Sequence, residues 1–209
     1  MANLSALTAA IVRGDRATAR SITTGAIDEG IAAQTILDAM TSAMGAVGGR
    51  FQRCEIYVPE MLIAARAMKE SMAVLEPLLA GAGIRPEATA VIGTVKGDLH
   101  DIGKNLVAMM WKGANIEVID LGTNVPPESF VAAAKEHNAH LIGLSALLTT
   151  TMVGMRDVVA AIRAAGLGDV KIIVGGAPIT AEFAREIGAD GYAPDAGSAV
   201  DVAKSAIAR

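Results

Sequence analysis

The stretch Gly97-Asp98-Leu99-His100-Asp101-Ile102-Gly103-Lys104-Asn105 carries the residue types best suited to metal chemistry in this chain. It sets one histidine between two aspartates, directly after the apolar run Ala90-Val91-Ile92-Gly93-Thr94-Val95. A histidine on a loop at a strand end can offer one ring nitrogen outward. A carboxylate beside it can hold the other N–H and fix the tautomer, which makes neutral imidazole a good metal ligand. Gly103, with no Cβ, is expected to let the chain turn tightly and a large group approach the backbone. The spacing reads as a single axial metal ligand, His100, beside open space, with Asp98 as its orienting partner.

The rest of the chain must position that loop. With 209 residues, 52% of them hydrophobic and only 3% aromatic, it is long enough for one large or two small domains with a substantial aliphatic core. That mix suits helix bundles and parallel α/β sheets, whose strands are buried on both faces. The net charge of −4 comes with no Lys/Arg cluster, so neither nucleic acid nor an anionic membrane surface is an expected partner. The single cysteine, Cys54, excludes an internal disulfide and a multi-cysteine metal site. The sequence begins without a signal-peptide pattern and contains no bilayer-spanning apolar run, so a cytoplasmic location is the expectation.

Composition changes near Gly81-Ala82-Gly83-Ile84-Arg85-Pro86-Glu87. Before it, Ile36, Met40, Met44 and Val47 recur at helical spacing, as do Met61, Leu62, Ala65, Met68, Met72 and Leu75. Gly14-Asp15 reads as a break with an N-cap, and Pro59 suits the first turn of a helix. Residues 1–83 are therefore expected to form a four-helix bundle, followed by a linker at 84–89. From residue 90 to 209 the pattern alternates, with strands predicted at 90–95, 116–120, 140–145, 171–174 and 190–192. Helices are predicted at 103–113, 127–137, 152–165, 180–187 and 196–207. This βα repeat predicts a doubly wound, flavodoxin-like (Rossmann-like) five-stranded parallel sheet in the order 2-1-3-4-5.

In such sheets ligands bind outside the carboxyl ends of the strands, at the switch point between strands 1 and 3. The loop after strand 1 holds Asp98, His100 and Gly103; the loop after strand 3 is Ser145-Ala146-Leu147-Leu148-Thr149-Thr150-Thr151. Gly175-Gly176-Ala177-Pro178 follows strand 4, and Tyr192-Ala193-Pro194-Asp195 follows strand 5. All four fall on one sheet edge and describe a slot with hydroxyls on one side and bare backbone on others. Hydroxyls of the Ser/Thr run can also hold Asp98 from behind. A phosphate cradle is weakly supported, because neither GxGxxG nor GxxxxGK[ST] occurs. Zinc needs three or four protein ligands. The other histidines, His137 and His140, are expected near the opposite edge. A single-histidine metal must arrive with its other ligands, as in a macrocycle. Trp111 is expected in the core, and Lys104 to face phosphate or solvent.

Asp98-Leu99-His100-Asp101-Ile102-Gly103 resembles the DxHxxG signature of cobalamin-binding domains. Ser145-Ala146-Leu147 resembles their SxL element and Gly175-Gly176 their GG element, in the same order. Tyr57-Val58-Pro59-Glu60-Met61 through Met68-Lys69 resembles the helical cap of methionine synthase and of the corrinoid proteins of methanol, methylamine and methoxyarene methyltransferase systems. The resemblance covers nearly the whole chain. It implies a cobalamin or related corrinoid, in its methyl (methylcobalamin) form, bound base-off/His-on with His100 as the lower cobalt ligand. Asp98 would tune His100, and Thr151 would stand where methionine synthase completes the relay with a serine. Leu99, Asp101, Ile102, Gly103, Ser145, Leu147, Thr149, Gly175, Gly176 and Tyr192 would surround the corrin and its nucleotide tail, with Tyr57 and Met61 as cap residues.

The function so implied is that of a methyl carrier. A substrate-specific methyltransferase would load the cobalt, and a second would pass the methyl to tetrahydrofolate or coenzyme M. A reductive activase would be a further partner. The chain is expected to be a carrier subunit, too short to hold the barrel domains of those enzymes. Two other readings share the cobalamin motif. A cobalamin-dependent sensor or regulator would be expected to add a DNA-binding module. The small subunit of an adenosylcobalamin mutase would be expected to lack the four-helix cap.

Overall fold

Helix formation in the first part of the chain follows its caps and its apolar spacing. The helices are α1 (Leu4–Val12), α2 (Arg16–Asp28), α3 (Ala33–Gln52) and α4 (Val58–Gly81). Asn3 caps α1 by accepting the N–H groups of Ser5 and Ala6, and Asp15 caps α2 by accepting that of Thr18. Gly14, at φ +74°, turns the chain between them. Glu60 reaches back to the N–H of Tyr57 at the start of α4, where Pro59 occupies the first turn. Of the predicted apolar stripes, Ile36, Met40, Met44, Val47, Met61, Met68 and Leu75 are buried, and Leu62, Ala65 and Met72 are half-buried. The computed structural model describes residues 3–208 and divides the chain into two compact units, with the boundary between Pro86 and Glu87. Among the described residues, no helix is long and apolar enough to cross a membrane.

The second unit is a five-stranded parallel sheet in the order β2-β1-β3-β4-β5. Its strands are β1 (Ala88–Thr94), β2 (Ile116–Asp120), β3 (Leu141–Ser145), β4 (Lys171–Gly175) and β5 (Gly191–Tyr192). The helices that follow them are α5 (Ile102–Gly113), α6 (Pro127–Glu136), α7 (Thr149–Met152), α8 (Gly154–Ala164), α9 (Ala181–Glu186) and α10 (Ala196–Ile207). Strand β1 begins two residues before the predicted 90, because Ala88 and Thr89 already pair with Ile116 and Glu117. The residues Thr149–Thr151, read from sequence as loop, form with Met152 one helical turn. Its three consecutive threonines have low helix propensity, so sequence gave no signal for it.

Side chains from both faces meet the sheet at glycines. Phe130 of α6 packs where a Cβ on Gly93 would stand, and Trp111 of α5 packs where one on Gly143 would stand. The indole N–H of Trp111 donates to the carbonyl of Ala199 at 2.9 Å, which satisfies the one polar atom of the largest buried side chain and ties α5 to α10. Across the sheet centre, Thr94, Ser145 and Gly175 stand in register, so β1, β3 and β4 end at one level. That common level sets the floor of the site.

Gly143→Ala would place a Cβ 2.9 Å from both Ile92 Cγ1 and Trp111 Cη2. It is expected to lower the unfolding free energy in urea by about 1–3 kcal/mol, the usual cost of overpacking. Gly168→Ala, with nothing within 4 Å of the new carbon, serves as control. It is expected to stay within about 0.5 kcal/mol of wild type.

Candidate functional site

Beyond β1 the chain crosses to β3 at Val95, whose N–H donates to Ser145 O at 3.0 Å, and turns at Gly97 with φ +85°. This brings Asp98 inward until its side chain is fully buried (0% exposed), while the side chain of His100 remains 50% exposed. One carboxylate oxygen of Asp98, Oδ1, accepts the backbone N–H of His100 at 3.0 Å and pairs with His100 Nδ1 at 2.7 Å. The other, Oδ2, accepts the N–H of Leu147 at 2.8 Å and the hydroxyl of Thr151 at 2.6 Å. The N–H of Leu148 lies further off, at 3.4 Å.

Burial is the largest influence on this carboxyl and opposes its charge. The hydrogen bonds from Thr151, Leu147 and His100 together outweigh it and hold the group well below the ordinary carboxylate range. An ionised carboxylate can only accept, so the ring nitrogen facing it must be the donor. His100 is thereby held as the Nδ1–H tautomer, with the Nε2 lone pair directed away from Asp98. The hydroxyl expected behind Asp98 is that of Thr151, and the one-turn helix α7 is what delivers it.

Around His100 the surface is apolar where a soluble domain would ordinarily be polar. Leu99 and Ile102 are each 72% exposed, and Leu147, Leu148 and Val153 are exposed as well. Exposed aliphatic side chains gathered on the loops of one sheet edge are the kind of surface that receives another group. Asp101 is exposed, and its carboxylate accepts the side-chain N–H of Asn105. Ser145 and Gly175 end adjacent strands, Thr149 is exposed at the start of α7, and Tyr192 ends β5 beside Val174. Gly176, at φ +134°, lies so close to β3 that a Cβ there would sit 1.9 Å from Ala146 O. All these belong to the carboxyl edge of the sheet. Tyr57 and Met61 belong to the helical unit, where Tyr57 is exposed at the start of α4 and Met61 is buried.

Two expectations need correcting. Gly103 does not turn the chain; it is the second residue of α5, and the tight turn falls at Gly97 instead. What Gly103 provides is space, since nothing lies within 4 Å of where its Cβ would be. Lys104 faces neither phosphate nor solvent. It is buried, and its Nζ pairs with Asp120 at 2.6 and 2.5 Å and with Asn105 Oδ1 at 2.7 Å. Sequence reading also passed over the loop after β2. In the order β2-β1-β3 that loop borders β1, and Asn124 on it bonds to both Gly97 and Asp98. Thr94, buried at the end of β1, donates its hydroxyl to His100 O at 2.9 Å.

The donor set defines what the site can hold. Among the described residues, no three His, Cys, Asp or Glu side chains converge to bind a metal ion. His137 ends α6, and His140 precedes β3 with Nδ1 accepting the N–H of Thr89. One tautomer-locked histidine, an apolar rim and an unfilled space at Gly103 fit a metal that brings a broad, largely apolar ligand with it.

Thr151→Val keeps the shape of the side chain and removes its hydrogen bond to Asp98. It is expected to cost about 1.5–3 kcal/mol of unfolding free energy at neutral pH, the range for a bond to a charged acceptor. Because the folded Asp98 pKa is depressed, its contribution is full above the unfolded value of about 4 and is lost as pH falls below it. The gap between wild type and variant in urea unfolding should therefore be constant from neutral pH to about pH 5 and narrow below about pH 4. Thr151→Ser should restore most of it.

Comparison with known proteins agrees with this geometry. Residues 88–201 match the B12 binding domain family, and residues 4–76 match a second family that is also described as a B12 binding domain. A corrinoid protein of Desulfitobacterium hafniense is 38% identical over 100% of this chain and 99% of its own length. A dimethylamine corrinoid protein of Methanosarcina mazei is 45% identical over 82% of this chain and 81% of its own. Among solved structures, the methanol:cobalamin methyltransferase complex of Methanosarcina barkeri contains a chain that superimposes with a TM-score of 0.87. That chain is 28% identical, and the match covers 98% of this chain and 79% of that one. Four helices followed by a five-stranded parallel sheet are thus shared architecture, and the chain belongs to the family of B12-binding corrinoid proteins.

Proposed function

We propose that this protein carries a methyl group on the cobalt of a bound corrinoid, between a substrate-specific methyltransferase and a second methyltransferase. The single observation that carries the reading is the lone, tautomer-locked His100, whose Nδ1 is engaged by Asp98 and whose other nitrogen is left for a metal. Relatives matched along most of the chain are named as corrinoid proteins, and one solved relative belongs to a methanol:cobalamin methyltransferase complex. The match to residues 4–76 includes the helical part, which favours the carrier over a mutase subunit.

A bound corrinoid would supply a cobalt centre able to take up and give away a methyl group. The work of this chain is to ligate, orient and shield. His100 Nε2 would be the lower ligand in a base-off/His-on arrangement. Asp98 holds the proton on Nδ1 so that Nε2 stays a lone-pair donor. Thr151 and the Leu147 N–H keep that carboxylate ionised and in place. Leu99, Ile102 and Leu147 would lie against the apolar face of the macrocycle and exclude water from the ligand bond. The displaced nucleotide tail would follow Gly103, Ser145, Thr149, Gly175, Gly176 and Tyr192 along the carboxyl edge. Tetrahydrofolate or coenzyme M would be the final acceptor, a reductive activase would restore the carrier after oxidation, and the setting would be the cytoplasm.

Full-length protein mixed with hydroxocobalamin is expected to retain about one equivalent after gel filtration and to turn red. His100→Ala should keep its far-ultraviolet circular dichroism and change the visible spectrum of the bound corrinoid. Gly103→Ala separates binding from folding. It should leave apo stability unchanged or raised by up to about 1 kcal/mol, since Ala is the better helix former. It should weaken uptake at least about tenfold by filling the space at the site. Wild-type protein that takes up no corrinoid would end this reading.

A further inference from the structure

The loop from Asp120 to Asn124, between β2 and α6, grips the His100 segment at both ends. At the near end, the backbone N–H of Asn124 donates to Asp98 O at 2.9 Å. Its side-chain Oδ1 accepts the N–H of Gly97 at 2.8 Å. Two bonds from one residue to adjacent positions fix the rotation of that segment as well as its place. At the far end, buried Lys104 on the first turn of α5 reaches both carboxylate oxygens of Asp120. Asp120 Oδ1 also accepts the N–H of Gly122 at 2.9 Å, so the same carboxylate shapes the loop that presents Asn124.

Asn124 is exposed, so core packing does not account for it. Its backbone is left-handed, at φ +55°, a conformation that asparagine tolerates better than most residues. On its far side, Val125 bridges to Val95 and donates its N–H to Thr94 O at 2.9 Å, which holds the loop against β1. The Asp98 carboxylate is meanwhile pulled from the opposite side by Leu147 and Thr151. The Asp98 N–H donates to Val95 O at 3.1 Å within the turn, and Asn124 adds the hold from the neighbouring loop that counters those two donors and keeps the carboxylate on the His100 ring.

We propose that Asn124 is a positioning residue for the metal ligand: by fixing Gly97 and Asp98 it aims the Asp98 carboxylate, and through it sets the tautomer and direction of His100. The Lys104–Asp120 pair holds the loop in place for this. The proposal rests on the reading of His100 as the lower cobalt ligand, but its effect on the ring exists before any corrinoid binds.

The experiment uses the full chain without corrinoid, in alkaline buffer. Long-range proton–nitrogen NMR correlations of His100 then report the ratio of its two tautomers. Asn124→Gly keeps the left-handed backbone and removes the Oδ1 acceptor. It is expected to raise the minor, Nε2–H tautomer at least about fivefold, as loss of one hydrogen bond allows, and to speed exchange of the Gly97 amide. Asn124→Asp restores an acceptor at the same place and should return the ratio toward wild type, which a general loss of stability would not do. An unchanged ratio in Asn124→Gly overturns the proposal, and so does an Asn124→Asp protein that behaves like Asn124→Gly. If the ratio shifts as expected while wild type fails to bind hydroxocobalamin, the positioning role stands and the carrier reading falls.

Discussion

The structure of the site depends on one buried anion. Taking a carboxylate out of water costs several kcal/mol unless donors replace the lost hydration. Asp98 recovers that cost from the His100 backbone and ring, the Leu147 N–H and the Thr151 hydroxyl. These donors come from two loops that are far apart in sequence and adjacent only because β1 and β3 are neighbours in the sheet. The site is therefore a consequence of strand order: with β1 and β3 apart, Asp98 would have half its donors and no reason to stay charged.

The same dependence explains the glycines and hydroxyls at the strand ends. Gly176 is required because β4 leaves the sheet within backbone contact of Ala146, the residue just before Leu147. Gly97 is required because the chain must turn sharply enough to push Asp98 inward. Thr94 takes up the carbonyl of His100, so that residue is held by its N–H, its ring and its carbonyl at once. An imidazole held at so many points loses little further freedom on binding a metal, which is the advantage of preorganisation.

Much of this was readable before any coordinates. Apolar residues at helical spacing located the helices, and short aliphatic runs such as Ile172–Val174 located strands, because a parallel sheet is buried on both faces. The Asp98–His100 pair was readable too, since a histidine beside a carboxylate can be held in one tautomer. That a hydroxyl of the Ser/Thr run could stand behind Asp98 was also readable, but Thr151 was singled out only by the resemblance to methionine synthase. What stayed hidden depends on long-range pairing. Lys104 looked like a surface residue at the start of a helix; its burial follows from Asp120, sixteen positions on, reaching it across β2. Asn124 carries no motif, and its two bonds exist only because the β2 loop lies beside that of β1. The role of Gly103 was misread for a local reason. A glycine after a histidine loop suggests a turn, but α5 begins at Ile102 and needs no left-handed residue there.

A site built on one histidine also has a chemical logic. Three or four protein ligands would bind free zinc or nickel in competition with the intended metal. A single imidazole on an apolar rim binds bare ions poorly, because it leaves most of their coordination to water beside Leu99 and Ile102. It favours a metal already enclosed in an apolar ring, whose burial against that rim adds hydrophobic free energy that a hydrated ion cannot gain. Selectivity then lies in the combination of one oriented nitrogen with exposed aliphatic surface. Those side chains would be a solubility liability on an ordinary domain. On the proposed reading, the buried Asp98 and the exposed Leu99 are two halves of one device: the first orients the nitrogen that would bind the metal, and the second would favour a metal already enclosed in an apolar ring.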